Sequence, residues 1–284
     1  MLGRFEYARP QSVDEACRLL AEGGRAAAVL AGGTDLLVDL RNGFRSPSLL
    51  VDVKRLGELQ ALKTRSDETV VGAAVPLNVV VENRELRKAY AGLSDAALSI
   101  ATYQLRNRAT VAGNLCNASP AADMAPILLV LDAELTVQNA KGTRAVPVAT
   151  LFTGAKRTCL VPGDVVIDVR MPPLDGELRT AFRKQQRIRG HDLAVVNAAA
   201  AYAPSRATLR VAVGSCAPTP VLLEPFDTKG TSPQALADEV LRAAAAATAP
   251  IDDVRASAAY RRAVLPVLLR RLLADVVSGR GGGI

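Results

Sequence analysis

The sequence has no tryptophan and a single histidine, and only 4% of its 284 residues are aromatic. That scarcity argues against a carbohydrate platform or a surface that stacks single-stranded bases. His191 cannot build a histidine metal site unaided. The four cysteines, Cys17, Cys116, Cys159 and Cys216, are scattered, and no two have metal-ligand spacing. Neither zinc nor an iron–sulfur cluster is therefore expected on this chain. No apolar run reaches membrane-spanning length, and Met1-Leu2-Gly3-Arg4-Phe5-Glu6 lacks an apolar signal core. The expected location is the cytoplasm, with no transmembrane segment and with the cysteines as free thiols. Two common nucleotide signatures are also missing: the G-x-G-x-x-G of a Rossmann domain and the Gly-Lys-Ser/Thr of a P-loop.

Charge is present but unclustered. Lysine and arginine number 35 against 28 acids, a formal net charge of +7. The arginines are spread out, and no basic stretch is interleaved with aromatics, so nucleic acid is not an expected partner. The excess is read as solvated surface, with part of it facing an acidic ligand or partner. Apolar residues make up 49% of the chain, enough to bury a core, and the length suits two ordinary domains or three small ones.

What the chain does have is a pair of glycine turns. Ala26-Ala27-Ala28-Val29-Leu30 reads as a short buried strand. Ala31-Gly32-Gly33-Thr34 turns the chain, with Thr34 as a candidate cap. Asp35 to Asn42 then follows with helical spacing and Gly43 as C-cap. Adjacent glycines permit a sharp turn and a close ligand approach, and amides at a helix start favour a phosphate. A second such turn, Ala109 to Pro120, precedes a helix from Ala121 to Leu131. Either alone serves equally as a tight connection; two together suit the two phosphates of a dinucleotide.

The rest reads in order as follows. Phe5 to Pro10 is an edge strand, and Ser12-Val13-Asp14-Glu15 a capping box. That box opens a helix burying Val13, Ala16, Cys17 and Leu20 and ending at Gly23-Gly24. Leu49 to Val53 is a strand closing a first lobe, about 1–55. In the second lobe, strands at Leu59 to Lys63 and Thr69 to Gly72 flank a Ser66-Asp67-Glu68 turn. A helix runs from Val75 towards Asn83 and an apolar one from Leu93 to Tyr103. A hairpin turns at Ala140-Lys141-Gly142, and Val165 to Met171 is a strand. Pro172-Pro173-Leu174-Asp175-Gly176-Glu177 marks the domain boundary. Beyond it, Arg179 to Gln186, Ala194 to Tyr202 and Thr208 to Val213 suit an antiparallel sheet. A helix starts at Ser232-Pro233, and the last runs from Ala256 to Val277 across Pro266, where a kink is expected. Ser278 to Ile284 is a glycine-rich tail expected to be mobile.

Ala31-Gly32-Gly33-Thr34-Asp35-Leu36-Leu37 resembles the first flavin loop of the FAD-binding medium subunits of molybdenum hydroxylases, the relatives of xanthine dehydrogenase and carbon monoxide dehydrogenase. Gln104 to Asn114, continued by Ala118-Ser119-Pro120-Ala121-Ala122-Asp123, resembles their second loop. Phe152-Thr153-Gly154, Asp192-Leu193-Ala194 and Asp253 to Arg262 are similar to the family too, so the resemblance spans nearly the whole chain. It implies an α+β fold: a two-lobed PCMH-type FAD-binding domain over 1–175, then a C-terminal antiparallel sheet-plus-helices domain over 176–284. It implies that Val29, Leu30, Ala31, Gly32, Gly33, Thr34 and Asp35 line the pyrophosphate and ribitol. Thr110, Ala112, Gly113 and Asn114 would hold the other side. Asn117 and Asp123 match polar FAD contacts, Ile100 and Leu160 apolar contacts near the ring, and Lys184 a cation that would stabilise the reduced, anionic flavin. Ala112 replaces a glycine of many relatives, and Leu193 an aromatic residue of some.

The function so implied is an FAD-carrying electron-transfer subunit. The [2Fe-2S] clusters would lie on a small partner subunit and the molybdopterin cofactor on a large one, commonly as a dimer of heterotrimers. Alternatives are a self-contained FAD-dependent reductase or oxidase, and a non-enzymatic nucleotide-binding module. Several residues also have plain structural readings. Asp35 and Asp123 suit first-turn acids, Lys184 a strand lysine and Cys116 a small core residue. Asp253, Arg255, Tyr260 and Arg261 suit a structural or subunit-contact network, and nothing assigns His191 a role.

Overall fold

The computed structural model describes residues 3–65, 67–172, 177–188, 190 and 192–277. Ser66 of the expected turn, the Pro173–Gly176 part of the expected boundary, His191 and the tail 278–284 lie outside the described residues.

The first lobe is a three-stranded parallel sheet. Its central strand Leu49–Asp52 lies between Glu6–Ala8 and Ala27–Leu30. Helix Val13–Gly23 forms as its pattern dictates. The Ser12 hydroxyl accepts from the Glu15 amide at 3.2 Å, and the Glu15 carboxylate accepts from the Gln11 amide at 2.7 Å. Val13, Ala16, Cys17 and Leu20 are its buried residues, and Gly24 ends it at φ +54°. Strand Ala27–Leu30 is not buried along its length, since Val29 is 41% exposed. Helix Leu36–Arg41 starts one residue late, with Asp35 at the N-cap and no side-chain cap, so Thr34 does not cap it.

The second lobe is a five-stranded antiparallel sheet in the order Leu62–Thr64, Thr69–Gly72, Val165–Met171, Glu134–Asn139, Gly142–Pro147. Two expectations change here. The apolar helix expected over Leu93 to Tyr103 is two helices, Ala91–Leu98 and Tyr103–Arg106, separated by Ala101 in the left-handed region at φ +48°. The second glycine turn is itself helical over Val111–Cys116. The Thr110 hydroxyl accepts from the Gly113 amide at 2.9 Å as its N-cap. The helix expected from Ala121 starts at Met124 and ends at Val130, with every residue buried.

The third sheet orders Arg179–Gln185, Val196–Ala203, Thr208–Gly214 and Val221–Leu222, all antiparallel. It is a middle layer. Phe182, Ala199, Ala201 and Ala212 join the core of the first two lobes. Ala181, Ala198, Ala200, Val211 and Val213 join a second core with helices Pro233–Ala247 and Ala258–Val277. A strand covered on both faces loses the polar alternation of a half-exposed one, which accounts for the alanine run 198–201. Small side chains also let helices come close. A Cβ on Gly92 would lie 2.9 Å from the Ala181 backbone, and the Gly92 amide donates to the Thr180 hydroxyl at 3.0 Å. The last helix runs unbroken through Pro266.

Candidate functional site

The two motifs meet because Gly32 has no side chain. A Cβ there would fall 2.1 Å from the Arg108 carbonyl oxygen and 3.0 Å from the Ala109 Cα. Gly32 therefore serves the contact between the two loops, while Gly33, at φ +73°, supplies the left-handed turn. A cleft of about 840 Å³ opens beside this junction. Of the sixteen residues implied by the family resemblance, fifteen line it: Val29, Ala31, Gly32, Gly33, Thr34, Asp35, Ile100, Thr110, Ala112, Gly113, Asn114, Asn117, Asp123, Leu160 and Lys184. Leu30 does not; it is buried with Leu36, Leu40 and Leu50 in a small core behind the loop. Cys116, expected as core, is exposed and lines the cleft instead.

Among the described residues, the amides of Gly32, Gly33, Thr34 and Asp35 donate to no protein group. Four consecutive N–H groups without a protein partner, on residues that line a cleft beside a helix start, fit an anion. On the other side, the Asn114 side-chain oxygen accepts from the Met124 amide at 3.2 Å, tying helix Val111–Cys116 to the next one. The Asn117 side-chain oxygen accepts from the Lys156 amine at 2.8 Å.

Lys184 is not a free cation. Its amine donates to Asp123 Oδ2 at 2.7 Å and to the Ser99 carbonyl at 3.1 Å, and both side chains of the pair are 5–6% exposed. Asp123 Oδ1 accepts from the Asn197 amide at 2.8 Å. Burial raises the Asp123 pKa, opposed by Lys184 and by the two hydrogen bonds. The pair is electrically closed, so the field at the cleft from Lys184 is largely cancelled by its partner. Asn197 carried no signal in the sequence: it sits in an alanine-rich strand and looks like an ordinary interruption.

Arg106 explains the break before it. Its guanidinium donates to the carbonyls of Leu98, Ile100 and Ala101 at 3.1, 2.9 and 3.1 Å and to Asn78 Oδ1 at 3.0 Å. These bonds hold the left-handed bend that presents Ile100 to the cleft. Arg106 lies inside the recognisable second motif, but neither its role nor that of Asn78 was legible there.

Asp164 acts similarly beside Leu160, at the neighbouring Val161 amide. It accepts from Arg144 at 2.9 and 2.6 Å, from Asn139 at 2.8 Å and from the Val161 amide at 2.9 Å. Burial alone would raise its pKa, but the Arg144 bonds, the Val161 amide and Asn139 outweigh it and hold the carboxyl below its usual range. A lowered carboxylate pKa contributes stability above the unfolded value, and that contribution is lost as pH falls through the folded value. Asp164→Asn is expected to cost about 2 kcal/mol at pH 7. In melts taken between pH 7 and pH 3, the gap to the native chain should close at the acid end; a constant gap would contradict this.

At the far edge, Asp192 accepts from the backbone and side chain of Arg187, which push its pKa down to about 2. Asp253 accepts from Arg255 and from buried Arg261, and Arg261 also donates to the Ser215 carbonyl. These bonds tie the segment to Ser215, and Arg255 also lines the cleft; Tyr260 is half exposed outside them. Leu193 stands 54% exposed at the cleft.

A family model described as the FAD binding domain in molybdopterin dehydrogenase matches residues 3–174. The chain belongs to this family. The CO dehydrogenase flavoprotein C-terminal domain matches residues 180–276. The carbon monoxide dehydrogenase medium chain of Hydrogenophaga pseudoflava is 30% identical over 276 residues, covering 95% of this chain and 96% of that one. Subunit alpha of the 6-hydroxypseudooxynicotine dehydrogenase complex of Paenarthrobacter nicotinovorans is 32% identical over 283 residues, covering 96% and 94%. A crystal structure of a Cu,Mo-CO dehydrogenase superimposes with a TM-score of 0.92 at 28% identity, covering 98% of this chain and 99% of that one. The two-part α+β fold is thus that of the family, and the chain is an oxidoreductase subunit with an FAD-binding domain. No helix among the described residues is long and apolar enough to cross a membrane.

Proposed function

We propose that this chain carries FAD in the cleft as the electron-transfer subunit of a heterotrimeric molybdenum hydroxylase in the cytoplasm. It takes electrons from [2Fe-2S] clusters on a small partner subunit, fed by a large subunit with the molybdopterin cofactor, and passes them to an external acceptor. Two heterotrimers pair in the assembly. The observation that carries the reading is the row of four unpaired amides from Gly32 to Asp35, set against Thr110 to Asn114 across one cleft.

Bound flavin supplies the redox chemistry, and the chain binds and orients it. The Gly32–Asp35 amides would receive the pyrophosphate, with Thr110 to Asn114 lining the same cleft. Ile100 and Leu160 would offer apolar surface to the ring; Arg106 bonds the Ile100 carbonyl, and Asp164 the Val161 amide next to Leu160.

Purification from the native host under mild conditions tests this. Flavin and iron–sulfur absorption, with a small and a large subunit in equal amounts, is expected. A colourless chain that purifies alone and takes up no added FAD would overturn the reading.

A further inference from the structure

The closed Lys184–Asp123 pair leaves open which group meets the negative charge of a bound dinucleotide. Five cations line the cleft among the described residues: Arg25, Arg45, Lys156, Lys184 and Arg255. Lys184 is paired with Asp123 and Arg255 with Asp253. Arg25 and Arg45 lie on the first lobe with Gly32–Asp35 and, like Lys156, pair with no carboxylate among the described residues. Lys156 comes from the second lobe, at the tip of the two-stranded hairpin Phe152–Gly154 and Arg157–Thr158. No carboxylate pairs with it among the described residues.

Lys156 is placed with care. Its backbone is left-handed, φ +58°, a conformation that strains any residue with a Cβ and persists where the surroundings impose it. Its amide donates to the Ala118 carbonyl at 2.8 Å, and its amine donates to Asn117 Oδ1 at 2.8 Å. Ala118 is itself left-handed, φ +47°. One hydrogen bond between these two left-handed residues, and a second from the amine to Asn117, thus hold a solvent-exposed ammonium against the second motif, where Cys116 and Asn117 line the cleft. An exposed lysine with only a neutral partner has no adjacent carboxylate to offset its field at a ligand.

We propose that Lys156, positioned by Asn117 and Ala118, is a cation that meets the negative charge of the flavin dinucleotide in this cleft from the second lobe. The inference rests on the FAD reading above. The charge it meets lies either on the pyrophosphate or on the reduced ring, and the two give different readouts.

The test uses the full chain, with whatever subunits co-purify, freed of flavin and titrated with FAD and separately with ADP. Lys156→Asn removes the charge with a residue that tolerates the left-handed backbone; Lys156→Arg keeps the charge. A pyrophosphate role is expected to raise the dissociation constants of FAD and ADP about tenfold in Lys156→Asn, with the difference shrinking as salt is added. A ring role is expected to leave both constants near native and lower the flavin midpoint potential, because the reduced anionic form loses its countercharge. In either case Lys156→Arg stays close to native. Constants and potential both within twofold-equivalent of native in Lys156→Asn would overturn the inference while leaving the FAD reading intact. Failure of the native chain itself to take up FAD would overturn both.

Discussion

Gly32→Ala is expected to leave a chain that folds poorly and holds no flavin. The added methyl would sit 2.1 Å from the Arg108 carbonyl oxygen and 2.7 Å from its carbon. Real contacts of this kind are more than an ångström longer, and the obstacle is backbone rather than a flexible side-chain end. The Arg108–Ala109 segment cannot retreat easily. The Ala109 carbonyl accepts from the Leu77 amide at 2.8 Å, and Thr110 bridges Pro76. Overpacking a well-packed site costs about 1–3 kcal/mol and more where nothing yields. At roughly 2–4 °C per kcal/mol for a chain of this size, a loss near 10 °C is expected in thermal unfolding. The larger effect falls on the ligand, because separating the loops moves the four unpaired amides away from Thr110 to Asn114. FAD affinity is expected to fall at least a hundredfold, measured by flavin fluorescence on dilution. A Gly32→Ala chain that keeps its flavin through gel filtration would show that the loops close less tightly than the geometry implies.

That glycine was legible in the sequence, but for a different reason. The pattern Ala31-Gly32-Gly33 suggested room for a ligand; the room at Gly32 is taken by another part of the chain. The same limit recurs elsewhere. Helix Val13–Gly23 could be read residue by residue, because its cap, its stripe and its glycine stop are all local. The helix expected over Leu93 to Tyr103 could not, since its break depends on Arg106 folding back onto three carbonyls. Those bonds give the carbonyls a partner other than the amides a continued helix would bring. The expected glycine turn over Ala109 to Pro120 holds Gly113 and Asn114, both weak helix formers. The Thr110 cap on Gly113 and the Asn114 bond to Met124 override that preference.

The family resemblance named residues of which all but Leu30 line the cleft, since motifs that bind through backbone must keep their small residues in order. It could not assign electrostatics. Lys184 and Asp123 lie 61 positions apart, and Asp164 and Arg144 lie on different strands or loops 20 apart. Whether a charge faces a ligand or a partner is a tertiary fact. Residues that line the cleft were thus visible before the bonds that support them were.

Lys184→Met is expected to be the most damaging single change at the charge pair, and its cost should depend on pH. Removing the ammonium leaves Asp123 buried with only Asn197 to bond it. Breaking a buried pair from one side costs about 3–5 kcal/mol, since the remaining charge keeps its desolvation penalty. Asp123 then takes up a proton more readily, and its pKa, already raised by burial, climbs further. An acid whose folded pKa exceeds its unfolded value favours the folded state below about pH 4 and loses that advantage as pH rises through the folded value. Urea unfolding of Lys184→Met should therefore show a smaller loss at pH 5 than at pH 8. Asp123→Asn with Lys184→Met leaves no ionisable group, so the pH dependence should vanish and much of the stability should return. Because the pair joins the helix layer of the first two lobes to the third sheet, the loss should also appear as faster amide exchange along Arg179–Gln185. Equal losses at both pH values would mean that the Asp123 carboxylate finds another cation or water when Lys184 is gone, and that the pair contributes less than its burial suggests.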